Sequence, residues 1–211
     1  MLSAKPKRRT QAERSSETQE RVISAAVEIL RSKGYAGFRV ADVTEEAGVS
    51  RGAQTHHFPT KVDLVLCAVA RVFDQATEAS RLRIAAVKPE DDVIAEMIAD
   101  ASDFFLGQNF SIGLDILGAA GRDPELRDAV QKVARSNRHL VEDMWIGLLL
   151  TRGLSREDAE DVLWLVFSSI RGLSVRLLWQ FDKERFERVK LITYQAAFEL
   201  FDRKKKVLPK R

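Results

Sequence analysis

Val43-Thr44-Glu45-Glu46-Ala47-Gly48-Val49-Ser50 joins two short helical segments, and its residue types set how tightly the chain turns between them. Two helices that cross closely need a small side chain at the crossing, which Ala47 supplies. A tight reversal needs a residue that accepts positive φ, which Gly48 supplies. Just past the turn, Val49 offers an apolar anchor for the second helix. Ser50 is a good N-cap, because its hydroxyl accepts one of the orphan N–H groups of the first helical turn. Each feature is weak alone. In succession they predict a helix-turn-helix.

Working outward, the segment before the turn (40–47) is apolar at Val40, Val43 and Ala47, and the one after it (51–57) ends at Phe58-Pro59. Upstream, Ser16 stands three residues before Gln19, a capping-box spacing, and Val22, Ile23, Ala26, Val27, Ile29 and Leu30 then recur at helical period as far as Gly34. Downstream, Thr60 and Asp63 open a long helix carrying Val62, Leu66, Val69, Ala70, Phe73 and Ala76. Further helices are predicted over 89–107 from Pro89, over 112–120, over 124–150 from the Asp123-Pro124 cap, over 155–179 from Ser155, and over 183–204. No stretch alternates apolar and polar residues between turn signals, so no sheet is expected. The fold class is all-α: a three-helix head and a body of about six helices. The expected division is a basic arm (1–15), a head (16–66), a body (67–204) and a basic tail (205–211).

Composition narrows the function. The 211 residues are 45% apolar and 31% charged, enough for a packed core without staples. The single cysteine, Cys67, excludes a disulfide framework and a multi-cysteine metal site, favours a reducing cytoplasm, and reads as an inert core residue. The start, Met1 to Arg9, lacks the apolar stretch of a signal peptide, and no apolar run approaches the ~20 residues of a membrane span. The net charge of +3 is unevenly spread: residues 1–66 carry +3, residues 67–201 carry −5, and residues 202–211 carry +5. A basic front suits a polyanion partner. Lys5, Lys7, Arg8, Arg9 and Arg14 read either as a solubilising tail or as an arm along a nucleic-acid backbone.

The segment from Ser50 shows which polyanion. Arg51, Gln54, Thr55 and His56 are hydrogen-bonding side chains on a helix with little apolar surface. Arg and Gln read guanine and adenine edges bidentately, and Thr touches the thymine methyl. Gly52 and Ala53 are small enough for close approach, and Lys61, in the first turn of the next helix, is a phosphate contact. Double-stranded DNA is the expected partner.

Gly34-Tyr35 through Val43, Ala47-Gly48-Val49-Ser50-Arg51-Gly52 and His56-His57-Phe58-Pro59-Thr60-Lys61-Val62-Asp63-Leu64 together resemble the DNA-binding domain of TetR-family transcriptional regulators, over about residues 17–66. The resemblance implies a homodimer with a three-helix head and a body in which an inducer binds and the last two helices dimerise. It puts base contacts on Arg51, Gly52, Gln54 and Thr55, and phosphate contacts on Ala53, His56, His57 and Lys61. Three positions depart from the family pattern: Thr55 and His57 stand where tyrosine is common, and Arg39 replaces the usual Thr cap of the second helix, where it is placed to contact phosphate instead.

In the body, the segment from Ser155 has one apolar stripe containing Val166, Ile170, Leu173 and Leu177, with Trp164, Leu165, Val175 and Trp179 partly off it. The final segment repeats this with Val189, Ala196 and Leu200, plus Leu191, Tyr194 and Phe198 outside the stripe. Helices so widely apolar bury more than one side, as in a four-helix dimer interface, and the stripe residues are the expected contacts. Met97, Phe104, Phe105, Phe110, Met144, Trp145, Trp164 and Phe167 could line an apolar cavity, with Asp100 or Arg171 as a polar handle for an apolar or amphipathic effector. No cofactor or metal is expected. The adjacent His56 and His57 point about 100° apart on a helix and make a poor metal or catalytic pair. No nucleophile elbow, P-loop or HExxH pattern is present. The expected function is therefore a sequence-specific DNA-binding regulator, a repressor released by its effector. The rivals are a helical protein-docking module and a small-molecule enzyme of the bundle type.

Overall fold

The computed structural model describes residues 10–207 apart from residues 120 and 122, with side chains as far as Arg203. The basic residues Lys5, Lys7, Arg8 and Arg9 of the arm and Lys210 and Arg211 of the tail lie outside the described residues. Among those described, nine α-helices and no strand occur: α1 (Gln11–Gly37), α2 (Val40–Ala47), α3 (Arg51–His57), α4 (Lys61–Ala86), α5 (Val93–Phe105), α6 (Gln108–Ala119), α7 (Pro124–Thr151), α8 (Arg156–Arg176) and α9 (Lys183–Val207).

Most helix starts follow from the residue that takes the first orphan N–H. Ser50 accepts from the Ala53 amide, Thr60 and Asp63 cap each other's backbone, Asp123 accepts from Leu126 with Pro124 next, and Ser155 accepts from Asp158. Three starts differ from expectation, among them that of the sixth helix, which begins at Gln108 and not at residue 112. The first helix begins at Gln11, capped by Thr10 in a capping box with Glu13, so Ser16 lies inside it and residues 11–15 are helical. The fifth begins after Asp92, whose carboxylate accepts from Ile94 and Ala95, and not at Pro89. Gly34, expected to end α1, instead breaks it with φ 63°, after which the helix resumes to Gly37. At the other end of the chain, α8 stops at Arg176 rather than near residue 179.

Two cores result. The first joins the inner faces of α1 and α2 (Val22, Val43) and Phe58, the residue just past α3, to the first half of α4 (Leu64, Val65, Val69), to Ile112 and Ile116 of α6 and to Leu126 and Val130 of α7. The second lies among α5, the latter half of α7 and α8, closed by Phe186 and Ala197 of α9. Each fully buried Val, Leu or Phe stabilises by about 1.5–3 kcal/mol, and the head shares this first core with α6 and α7 of the body. Cys67 is half-buried against the first core, and burial pushes its thiol up.

Candidate nucleic-acid interface and body cavity

Gly48 adopts the left-handed conformation (φ 61°, ψ 41°), and its N–H and that of Val49 donate to Glu45 O and Thr44 O, closing α2. Arg21 of α1 reaches across to Ala47 O and, at 3.0 Å, to Gly48 O. These bonds satisfy carbonyls that a helix end leaves open and fix the turn to α1.

The turn launches α3 with a sharply divided surface. Arg51, Gly52, Thr55 and His56 are exposed; Ala53 and His57 are half-buried; Gln54 and Phe58 are buried. The Arg51 side chain makes no hydrogen bond or ion pair with the described residues. The Thr55 hydroxyl donates to Arg51 O at 2.9 Å, turning the polar branch of that side chain back onto its own helix. Gln54 corrects the expectation of an outward base reader: only 3% exposed, it donates from Nε2 to Phe58 O at 2.6 Å. Its amide plugs the C-terminal end of α3, where a carbonyl would otherwise lack a donor. His57 packs between His56 and Phe58, with ring centroids 5.3 and 6.2 Å away. Among the described residues no cluster of three His, Cys, Asp or Glu side chains could hold a metal.

Lys61 is less free than its position suggested. Its ammonium lies 4.4 Å from the centre of the Tyr35 ring and 3.3 Å from Tyr35 O, and burial pushes its pKa down. Arg39, immediately before α2, is exposed and makes no capping bond.

In the body, α4, α5, α6, α7 and α8 surround a cavity of about 380 Å³. Asp100, Phe104, Phe105, Phe110, Phe167 and Arg171 line it, as expected. Four other expected residues do not. Met97 and Trp145 are fully buried in the second core, Met144 is half-buried off the cavity, and Trp164 is 59% exposed on the outside. Sequence reasoning missed Phe73, Thr77 and Ser80 of α4, Gly113 and Leu117 of α6, and Asn137 and Arg138 of α7. Asp100 is buried and accepts from Ser80 Oγ at 2.8 Å and Trp145 Nε1 at 2.7 Å. Burial raises its pKa, against the opposing pull of those two bonds and of Arg83.

The Arg171 side chain has neither hydrogen bond nor ion pair among the described residues; its guanidinium lies 4.8 Å over the Phe105 ring. Burial lowers its pKa and neighbouring Arg138 adds to the effect, while Glu142 pulls the other way. Arg138 is itself paired with Glu142 at 2.8 Å. The cavity is thus mostly aromatic and aliphatic, with one guanidinium whose donors are unspent.

The wall formed by α6 also touches the head. Asp115 of α6 accepts from the Tyr35 N–H at 2.6 Å, beside the break at Gly34, and Asn109 accepts from Arg31 at 3.1 Å. A Cβ on Gly34 would stand 3.0 Å from the Asp115 carboxylate, so close approach as well as positive φ requires glycine there.

The outer faces of α8 and α9 correct the expected dimer contacts. Val166, Ile170 and Leu173 point into the second core, and Val189 and Leu200 are partly buried against it. Only Leu177 and Ala196 of the expected set are exposed. The exposed apolar surface is formed instead by Trp164, Leu177, Leu178, Trp179 (77% exposed), Phe181, Leu191, Ile192 and Phe198.

A helix-turn-helix head of this geometry over an all-helical, cavity-bearing body is that of a DNA-binding transcriptional regulator. Residues 22–68 match the model of the bacterial regulatory proteins, tetR family. Over 196 residues the chain is 60% identical to the HTH-type transcriptional regulator CymR of Pseudomonas putida, covering 93% of this chain and 97% of that one. An uncharacterized HTH-type transcriptional regulator of Mycobacterium tuberculosis is 27% identical over 125 residues, 59% of this chain and 64% of the relative. Among solved structures, a transcriptional regulator from Rhodococcus sp. Rha1 superposes with TM-score 0.67 at 21% identity, over 85% of this chain and 95% of that one. The multidrug binding protein EbrR, complexed with imidazole, gives TM-score 0.58 at 22% identity, over 86% and 93%. The chain belongs to the TetR family of bacterial regulatory proteins. That membership places it among DNA-binding regulators rather than among enzymes. No helix of the described residues is long and apolar enough to cross a membrane.

Proposed function

We propose that the protein is a dimeric repressor whose operator grip is released by a small amphipathic molecule, with an apolar body and an anionic end, bound in the body cavity. The observation that carries this reading is Arg171: a half-buried guanidinium, without hydrogen bond or ion pair, facing a largely apolar cavity that five phenylalanines help to line. A charge held in an apolar pocket is costly until it is paired, and an anionic ligand pairs it.

In this reading the head comprises residues 16–66 and the body residues 67–204, in the cytoplasm where the operator lies. One α3 per protomer enters the major groove with Arg51, Thr55 and His56 toward the bases, while Arg39, His57 and Lys61 lie toward phosphates. Two copies meet through the exposed large apolar side chains of α8, α9 and the segment that joins them, which a monomer would leave to water. The Asp115–Tyr35 bond couples the cavity wall to the head, so a ligand that shifts α6 shifts the spacing of the two recognition helices.

The test uses the selected operator duplex, labelled, and matched pairs of small molecules: aryl or alkyl carboxylic acids and their neutral amides. Acids are expected to lower duplex anisotropy while the amides do not, and Arg171→Gln should weaken the acid response about 10- to 100-fold, the worth of one charge-assisted hydrogen-bonded pair. A response equal for acid and amide refutes the assigned role of Arg171.

A further inference from the structure

We infer that α3 reads thymine through the methyl group of Thr55, seated close to the base pairs by Gly52, and that it makes no adenine-specific amide contact. The inference rests on the assignment of α3 as the reading helix and adds what it reads. Three observations lead to it. First, Gln54, the residue of α3 suited to pair with adenine N6 and N7, is buried with its amide committed to Phe58 O. Second, the Thr55 hydroxyl is held by Arg51 O, so of the two branches on its Cβ the Cγ2 methyl is the one left unengaged on the exposed strip that Arg51 and Thr55 share at i,i+4 spacing. Thymine is the base that presents a methyl group in the major groove.

Third, nothing inside the protein requires glycine at position 52. Its φ is not positive, and a Cβ built there meets only Ser50 Oγ, at 4.0 Å. Glycine is nonetheless among the residues least favourable within a helix, and here it lies on the exposed surface beside Thr55, at i,i+3 spacing. The vacant side-chain space is on the outer surface, where a Cβ would hold the helix back from a groove wall. Gly52 and Thr55 therefore act together: one lets the helix approach, the other touches the base once it has.

The experiment takes the full-length protein and the duplex it selects from random DNA, and replaces each half-site thymine in turn by deoxyuridine, which lacks only the methyl. Wild type is expected to lose about four-fold in affinity at one thymine per half-site, the worth of one buried methyl group, and to be indifferent elsewhere. Thr55→Ser keeps a hydroxyl and removes the side-chain methyl. It should bind the thymine duplex as weakly as wild type binds the deoxyuridine duplex, with no further loss when both changes are combined. Gly52→Ala should melt no lower than wild type yet bind every duplex more weakly. Wild type insensitive to deoxyuridine at all positions overturns the inference, as does Thr55→Ser that remains as sensitive as wild type. Gly52→Ala with unchanged affinity overturns the close approach. A wild-type protein that selects no sequence at all overturns the assignment of α3 itself, a separate and recognisable outcome.

Discussion

Replacing Gln54 by alanine separates two roles that its residue type alone would confuse. Were it a base contact, the protein would keep its stability and lose discrimination at one base pair. The structure gives the reverse expectation. The side chain is 3% exposed and its amide donates to Phe58 O at 2.6 Å, so truncation strands a buried carbonyl at a cost of about 1–3 kcal/mol. Losing a buried methylene adds about 0.8 kcal/mol, and the better helix propensity of alanine returns a few tenths. The net is about 2–3 kcal/mol, which for a chain of this length lowers Tm by about 5–10 °C. Gln54→Met keeps the volume without the donor and should fall about halfway. The assay is thermal melting by circular dichroism beside competition between the operator and its single-base-pair variants, both at the same salt concentration. A Tm within about 1 °C of wild type, together with lost preference at one base pair, would refute the buried placement of Gln54 and return it to the DNA face.

Other outcomes follow from the same geometry. Gly48→Ala forces a side chain into positive φ with its Cβ 2.9 Å from the Arg21 guanidinium, so the head should lose about 1–2 kcal/mol in urea denaturation; a neutral result contradicts the turn geometry. Asp100 has a raised folded-state pKa because of burial, so the stability it contributes is present below 3.8, its ordinary value, and is lost as pH climbs through the raised one. Asp100→Asn should therefore gain on wild type in urea midpoint as pH rises from 4 to 7, and a gain on lowering the pH counts against the buried, desolvated carboxyl. Leu178→Glu with Trp179→Glu places charge on the exposed apolar segment just past α8, and sedimentation should show monomers where wild type is dimeric; dimers in both would remove that segment from the interface.

The fold was legible because its punctuation is chemical: Ser50, Thr60, Asp123 and Ser155 each cap the helix that their spacing announced. It failed where two caps competed. Thr10 with Glu13 lies one turn and a half before Ser16 with Gln19, and both spacings read alike until packing chooses. The candidate site was legible in its turn and in Arg51, Thr55 and His56, but not in Gln54, whose polar side chain hides that it sits four residues before Phe58, at a helix end short of donors. The dimer face misled for a related reason. The best-aligned stripe of α8, through Val166 and Ile170, is the stripe its own core takes, and the outward face is carried by the residues that periodicity left over, such as Trp164. Cavity residues on α4 and α7 were missed because Thr77, Ser80, Asn137 and Arg138 are polar and read as solvent-facing, while Phe73 reads as ordinary core.

The central claim is that two copies of this chain read DNA through α3, and selection of bound duplexes from a random library at stated salt tests it most directly. The expected result is an inverted repeat whose half-sites are centred about one helical turn apart, ~34–36 Å, or a multiple of it, with preference lost at one base pair per half-site in Arg51→Ala. Enrichment of no sequence, of an asymmetric one, or of the same repeat with undiminished preference in Arg51→Ala would contradict it.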